Sequence, residues 1–219
     1  MGKNKLQRYK DIRDLENVFE YTDFRETGPE KPKGKWAGIF GNQNPLILEL
    51  ACGKGEYTLN LARRYPDKNF IGIDIKGARV WVGANRAKDE SLQNVHFIRM
   101  FIDHVEEYFD HREVDEIWIP FPDPYLREKK ENKRLTSKRF LERYRAFLKP
   151  GGIVHLKTDS DPLFNFTLDV IQSENCHIHR LVQDVYGEAP DDPLLSIQTF
   201  YEKQHLSNNK TIKYVSFSL

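Results

Sequence analysis

"PLILELACGKGEYTLNLARRY", residues 45–65, decides the fold. The first seven residues form a short apolar run of the kind a buried strand needs, and Tyr57, Leu61 and Tyr65 then recur at helical spacing. Gly53 and Gly55 sit at the junction, so the stretch reads as a strand, a glycine turn and a helix. Outward from it the pattern repeats. "NFIGIDI" (69–75) predicts a second strand and "GARVWVGANRAKDE" (77–90) a second helix. "NVHFIRM" (94–100), "VDEIWIPF" (114–121) and "GGIVHLKTD" (151–159) predict further strands, with helices near 103–110, 136–148 and 161–174. Strands alternating with helices imply parallel βαβ units and a doubly wound α/β sheet. "HIHRLVQDVY" (177–186) and "TIKYVSFSL" (211–219) are strand-like with no helix expected between them, so an antiparallel pair should finish the sheet. Residues 1–35 are polar, with Gly28, Pro29, Pro32 and Gly34 near their end, and read as an arm. Residues 36–219 are expected to form one domain.

Composition narrows the class. The 219 residues are 39% hydrophobic and 31% charged, enough for a real core, and the net charge of +1 provides no global attraction to nucleic acid. Cys52 and Cys176 form neither a CxxC pair nor a disulfide framework, which suits a reducing compartment. No apolar run reaches membrane-spanning length, and "MGKNKLQRYK" lacks the hydrophobic stretch of a signal peptide. A cytoplasmic protein with no membrane partner is the expectation.

Two clusters carry chemistry. In the first, Glu49, Gly53 and Gly55 precede a helix N-terminus. The dinucleotide fingerprint would place a third glycine or alanine where Thr58 stands, so a pyrophosphate site is incomplete. A carboxylate at Glu49 suits instead the cationic amino-acid part of S-adenosyl-L-methionine. Asp74, at the second strand's tip, is placed for a ribose diol, and Asp103, after the third, for an adenine amino group. The alternative is that the glycines merely turn the chain, with Cys52 a small packing residue beneath the loop.

The second cluster is "IPFPDPYLREKKENKRL" (119–135). Pro122 and Pro124 restrict the backbone around Asp123, and ligands of open α/β sheets bind beyond the carboxyl ends of strands. The D-P-P-Y signature of amino-methylating enzymes is one proline short here. Between 127 and 149 ten cations face only three carboxylates, which reads either as a solvated helix face or as a phosphate-binding surface, with Lys129, Lys130, Lys133 and Arg134 foremost. Lys3, Lys5, Arg8 and Lys10 offer a second contact. His155 reads as a structural strand residue. His177 and His179 share a strand face, yet no third ligand accompanies them, so no metal is expected.

"GKWAGIFGNQNPLILELACGKGEY", "FPDPYLREKKENKRL", "HLKTD" and "TFYE", in this order, resemble the tRNA (guanine-N7-)-methyltransferases, from about Lys33 to the C-terminus. The resemblance implies a class I methyltransferase sheet with an antiparallel last strand. It also implies methyl transfer from S-adenosyl-L-methionine to guanosine N7 in the tRNA variable loop, at tRNA position 46, by a monomer or homodimer. It assigns Glu49, Asp74, Asp103 and Asp123 to the cofactor, Asp123 being also the catalytic candidate. Arg127, Asp159, Thr199 and Glu202 fall to the substrate side. The chain departs from the family pattern at Ala51, where relatives carry Gly, and at Tyr125, Leu126 and Arg127, where they carry Trp, Pro and Lys. A methyltransferase acting on another base or a small molecule, and a non-catalytic RNA-binding subunit, are the alternatives.

Overall fold

A computed structural model of the chain describes residues 2–21 and 31–219, except for the side chains of the first three of these. In chain order the elements are α1 (Gly2–Asp11), β1 (Val18–Tyr21), α2 (Trp36–Phe40), β2 (Leu46–Leu50), α3 (Glu56–Arg64), β3 (Asn69–Asp74) and α4 (Gly77–Asp89). There follow β4 (Val95–Met100), β5 (Val114–Pro120), α5 (Lys138–Arg145), β6 (Leu148–Thr158), α6 (Asp161–Ser173) and β7 (His177–Val182). The last are α7 (Val185–Glu188), α8 (Phe200–Ser207) and β8 (Lys213–Ser218), and short 3-10 turns cover Ile102–Glu107 and Glu128–Lys133.

The eight strands form one sheet in the order β1-β4-β3-β2-β5-β6-β8-β7, parallel up to β6, with β8 antiparallel to both β6 and β7. The central strands are buried on both faces because helices cover both, which is why they read as continuous apolar runs. Side-chain alternation splits the core in two. Leu48, Ile71 and Ile117 pack on one face with Phe140 and Phe164, while Ile47, Phe70 and Trp118 pack on the other with Tyr57 and Ala84. From β2 the chain winds outward through β3 and β4, and it then returns to place β5 on β2's other side. That reversal opens a crevice above the carboxyl ends of β2 and β5.

Three expectations need correction. The first 35 residues are not wholly an arm: β1 pairs in register with β4, from Val18 on Phe97 to Tyr21 on Met100, and Ile12 is fully buried. The Lys3 side chain, Gly28 and Pro29 lie outside the described residues. Two helices, α7 and α8, stand between β7 and β8 where none was expected. The helix expected near 103–110 is a 3-10 turn ending at Glu107.

Candidate active site

The crevice is a cleft of about 1410 Å³ lined from both clusters that the sequence singles out, Glu49, Gly53 and Asp74 on one side and Asp123 on the other. Its floor is the turn after β2. Gly53 and Gly55 take left-handed backbone angles, φ 57° and 68°, and a Cβ on Gly55 would lie 2.6 Å from the Phe97 ring. Glycine is therefore required twice over at Gly55, for the backbone angle and for the approach to Phe97.

The acids around the turn are wired into it. Asp74 accepts the amide N–H of Gly53 at 2.9 Å and that of Lys76 at 2.7 Å, so it braces the loop while facing the cleft. Glu49 Oε2 accepts both the amide N–H of Thr58, at 2.7 Å, and the Thr58 hydroxyl. Burial nevertheless pushes its carboxyl up to about 8, the Thr58 hydrogen bonds only partly offsetting the loss of water. Cys52 is buried beneath the loop, and burial also raises its thiol, as befits a packing residue. Asp103 is half-exposed, lines the cleft and pairs with Arg139 at 2.7 Å.

Asp123 is exposed. Its loop runs through two left-handed non-glycine residues, Phe121 at φ 52° and Tyr125 at φ 40°, and its carboxylate accepts no hydrogen bond among the described residues. Across the cleft, Asp159 pairs with Lys210 at 2.5 Å and His205 at 3.3 Å. His205 also stacks on Phe121, 5.8 Å between ring centroids. The sequence reading missed His205 and Lys210, because their link to Asp159 spans about fifty residues. It also missed Phe101 and Phe200, exposed aromatic rings on the cleft wall.

Two of the expected site residues sit in surroundings that the sequence does not suggest. Glu202 does not reach the cleft. It is fully buried, paired with Lys157 Nζ at 2.6 Å and receiving the Tyr186 hydroxyl at 2.7 Å. Burial pushes both members of the Lys157–Glu202 pair toward neutrality, and their mutual attraction opposes it. Glu202 and Thr199 form the capping box of α8, although Thr199 itself lines the cleft. Arg134 is likewise no surface cation. It is 4% exposed, and its guanidinium is bonded inward to the carbonyls of Pro124 and Tyr125.

The remaining basic run divides. Lys138 pairs with Glu174, Arg143 with Glu106 and Lys149 with Asp115, so these cations are already answered within the fold. Arg127, Lys129, Lys130 and Lys133 are exposed and make no ion pair among the described residues, and Lys133 reaches the cleft. On α1, Arg8 stacks over Trp81 at 4.9 Å. His155 is structural. Its Nδ1 lies 2.8 Å from the Tyr214 hydroxyl, its ring stacks on Trp118 at 4.0 Å, and burial lowers its pKa. Among the described residues no group of three or more His, Cys, Asp or Glu is arranged to hold a metal, and no helix is long and apolar enough to cross a membrane.

The likeness to solved structures is one of fold. A 16S rRNA methyltransferase, KamB, superposes with a TM-score of 0.66 at 11% identity over 89% of this chain and 96% of that one. A geranyl diphosphate C-methyltransferase from Streptomyces coelicolor, solved with S-adenosyl-L-homocysteine, gives 0.53 at 18% identity over 81% and 70%. Residues 43–215 match the family model described as "Putative methyltransferase". Proteins named tRNA (guanine-N(7)-)-methyltransferase are far nearer in sequence. The one from Christiangramia forsetii is 48% identical over 100% of this chain and 99% of its own length. That from Bacteroides thetaiotaomicron is 47% identical over 100% and 87%, and that from Enterococcus faecalis 33% over 90% and 91%. With identity at this level along the whole chain and a methyltransferase sheet beneath it, the chain belongs to the tRNA (guanine-N7-)-methyltransferase family.

Proposed function

We propose that this chain transfers a methyl group from S-adenosyl-L-methionine to N7 of the variable-loop guanosine at tRNA position 46. The observation that carries the reading is the exposed carboxylate of Asp123, without a hydrogen-bond donor among the described residues, facing a cleft that Glu49, Gly53 and Asp74 line from the other side. The donor set fits the cofactor. Glu49 offers a buried carboxyl, which the cationic amino-acid end would draw toward its ionised form, the turn at Gly53 and Gly55 lets the backbone come close, and Asp74 and Asp103 supply acceptors for its ribose and adenine. Bound there, S-adenosyl-L-methionine supplies an electrophilic methyl group on a sulfonium.

The residues match the demands of the acceptor atom. Guanine N7 has a lone pair and no hydrogen, so alkylation there requires no general base. The work left to the protein is alignment and stabilisation of the positive charge that grows on the purine. That charge makes the ring N–H and the exocyclic amine stronger donors. Asp123 accepts from them more strongly in the transition state than in the ground state, which is the form of stabilisation that raises rate. Asp159 sits across the cleft for the same purpose, its charge shared with Lys210 and His205. Lys129, Lys130 and Lys133, exposed on the turn that follows Asp123, meet the tRNA backbone, while Arg127 and the cleft-lining Thr199 fall to the substrate guanosine.

The test is transfer of labelled methyl to an unmodified tRNA transcript, followed by identification of the labelled nucleoside. Label should appear as 7-methylguanosine and vanish when the variable-loop guanosine is replaced by adenosine. Label on any other nucleoside would refute the assignment.

A further inference from the structure

Arg134 lies in the most basic stretch of the chain, yet the fold turns it inward. Nε donates to the Pro124 carbonyl and Nη2 to the Tyr125 carbonyl, each at 3.1 Å, and Nη1 donates to Glu131 at 3.0 Å. The guanidinium carbon lies 4.3 Å from the centroid of the Phe166 ring on α6. All three of its nitrogens donate within the protein, and one of its faces is covered there. A phosphate ligand needs an exposed head, and this residue is 4% exposed.

The loop that Arg134 grips cannot fasten itself. Pro122 and Pro124 have no amide hydrogen to donate, and Phe121 and Tyr125 hold backbone angles that bulky side chains avoid. At one end the Phe121 amide donates to the Lys157 carbonyl on β6 at 2.8 Å. At the other end the Arg134 fork holds two consecutive carbonyls. Asp123 is slung between these anchors.

We infer that Arg134 is a positioning residue for the methyl-transfer step, its planar fork fixing the turn that aims Asp123 into the cleft. The inference rests on the function proposed above. It requires arginine specifically, because lysine carries the charge as a point and cannot bridge two carbonyls in one plane.

The test compares Arg134→Lys and Phe166→Leu with the unaltered full-length chain. Each is measured for kcat, for KM toward a tRNA transcript at several salt concentrations, for S-adenosyl-L-methionine binding and for thermal melting. Arg134→Lys should lower kcat by about tenfold to a hundredfold, the usual effect of an ångström-scale misplacement, with tRNA KM, its salt dependence and cofactor binding unchanged. Phe166→Leu keeps the cation but removes its platform, and should lower kcat in the same direction by less. A rise in tRNA KM with kcat intact, or a flatter salt dependence, would make Arg134 a phosphate ligand and overturn the inference. So would a fall in melting temperature and cofactor binding with kcat per folded molecule unchanged. If the unaltered chain fails to methylate tRNA, the proposed function falls first and the inference with it.

Discussion

Glu49 and Asp123 are carboxylates of one cleft with opposite surroundings, and each leads to its own experiment. Burial holds the Glu49 carboxyl at about 8, against about 4.5 when the chain is unfolded. The folded state therefore binds one more proton between those values, and its stability falls as pH rises from about 4.5, levelling above about 8. Glu49→Gln removes that dependence. Its melting temperature relative to the unaltered chain should climb across the same window and then stay flat, while its affinity for S-adenosyl-L-methionine drops. A constant difference across the window would show that Glu49 is not held protonated. Asp123 is exposed and accepts no hydrogen bond among the described residues, so its substitution should cost chemistry rather than folding. Asp123→Asn is expected to lower kcat about a hundredfold or more, the scale of losing one electrostatic stabiliser, with thermal melting unchanged. Steady-state kinetics on a tRNA transcript beside a melting curve would separate the two effects.

Among the elements, the joint between the β2–α3 turn and α4 has the least room. A Cβ on Gly83 would sit 2.7 Å from the Lys54 carbonyl and 2.8 Å from the Phe97 ring. Gly83 has an ordinary helical backbone, so the strain of Gly83→Ala is one of overpacking, and about 1–3 kcal/mol of stability should be lost. Because the displaced carbonyl belongs to the cofactor turn, cofactor affinity should fall too; chemical denaturation and a binding titration measure the two effects. This joint is half legible in sequence. Gly53 and Gly55 announce a turn, but nothing in the order of residues says that Phe97, from the next strand but one, fills the space beneath it. The parallel strands were legible for a different reason: cover on both faces makes them unbroken apolar runs. α8 was not, since it begins with exposed Phe200 and Tyr201 and buries Glu202, the reverse of an apolar stripe. Its one readable sign was the spacing of Thr199 and Glu202, a helix-start signature that the resemblance had assigned to substrate. β1 escaped because four residues within a polar segment, three of them half-buried and only Tyr21 buried, carry too little pattern. Arg134 escaped because a charge in a sequence does not say which way it faces.

For the whole molecule, a net charge of +1 conceals a sorting of cations into answered and unanswered ones. Arg143 lies on α5 beside Glu106, both largely withdrawn from water, whereas Lys129 and Lys130 lie exposed on the turn that leads from Asp123. The stretch that reads as one basic run therefore does two jobs, and charge reversal should separate them. Lys129→Glu with Lys130→Glu should weaken tRNA binding and reduce the slope of log affinity against log salt by about 0.7–0.9 for each phosphate the variant no longer neutralises. Melting temperature should be unaltered, because neither lysine forms an ion pair among the described residues. Arg143→Glu should do the reverse. It sets a carboxylate against Glu106 in a poorly solvated place, so the protein should melt lower, while the molecules that remain folded bind tRNA with the original salt slope. Filter binding across a salt series, run beside thermal melting for the two variants, measures both quantities. If the slope were to fall equally in both, the cations would act as one diffuse field rather than at separate phosphates, and the tRNA surface would have to extend along α5.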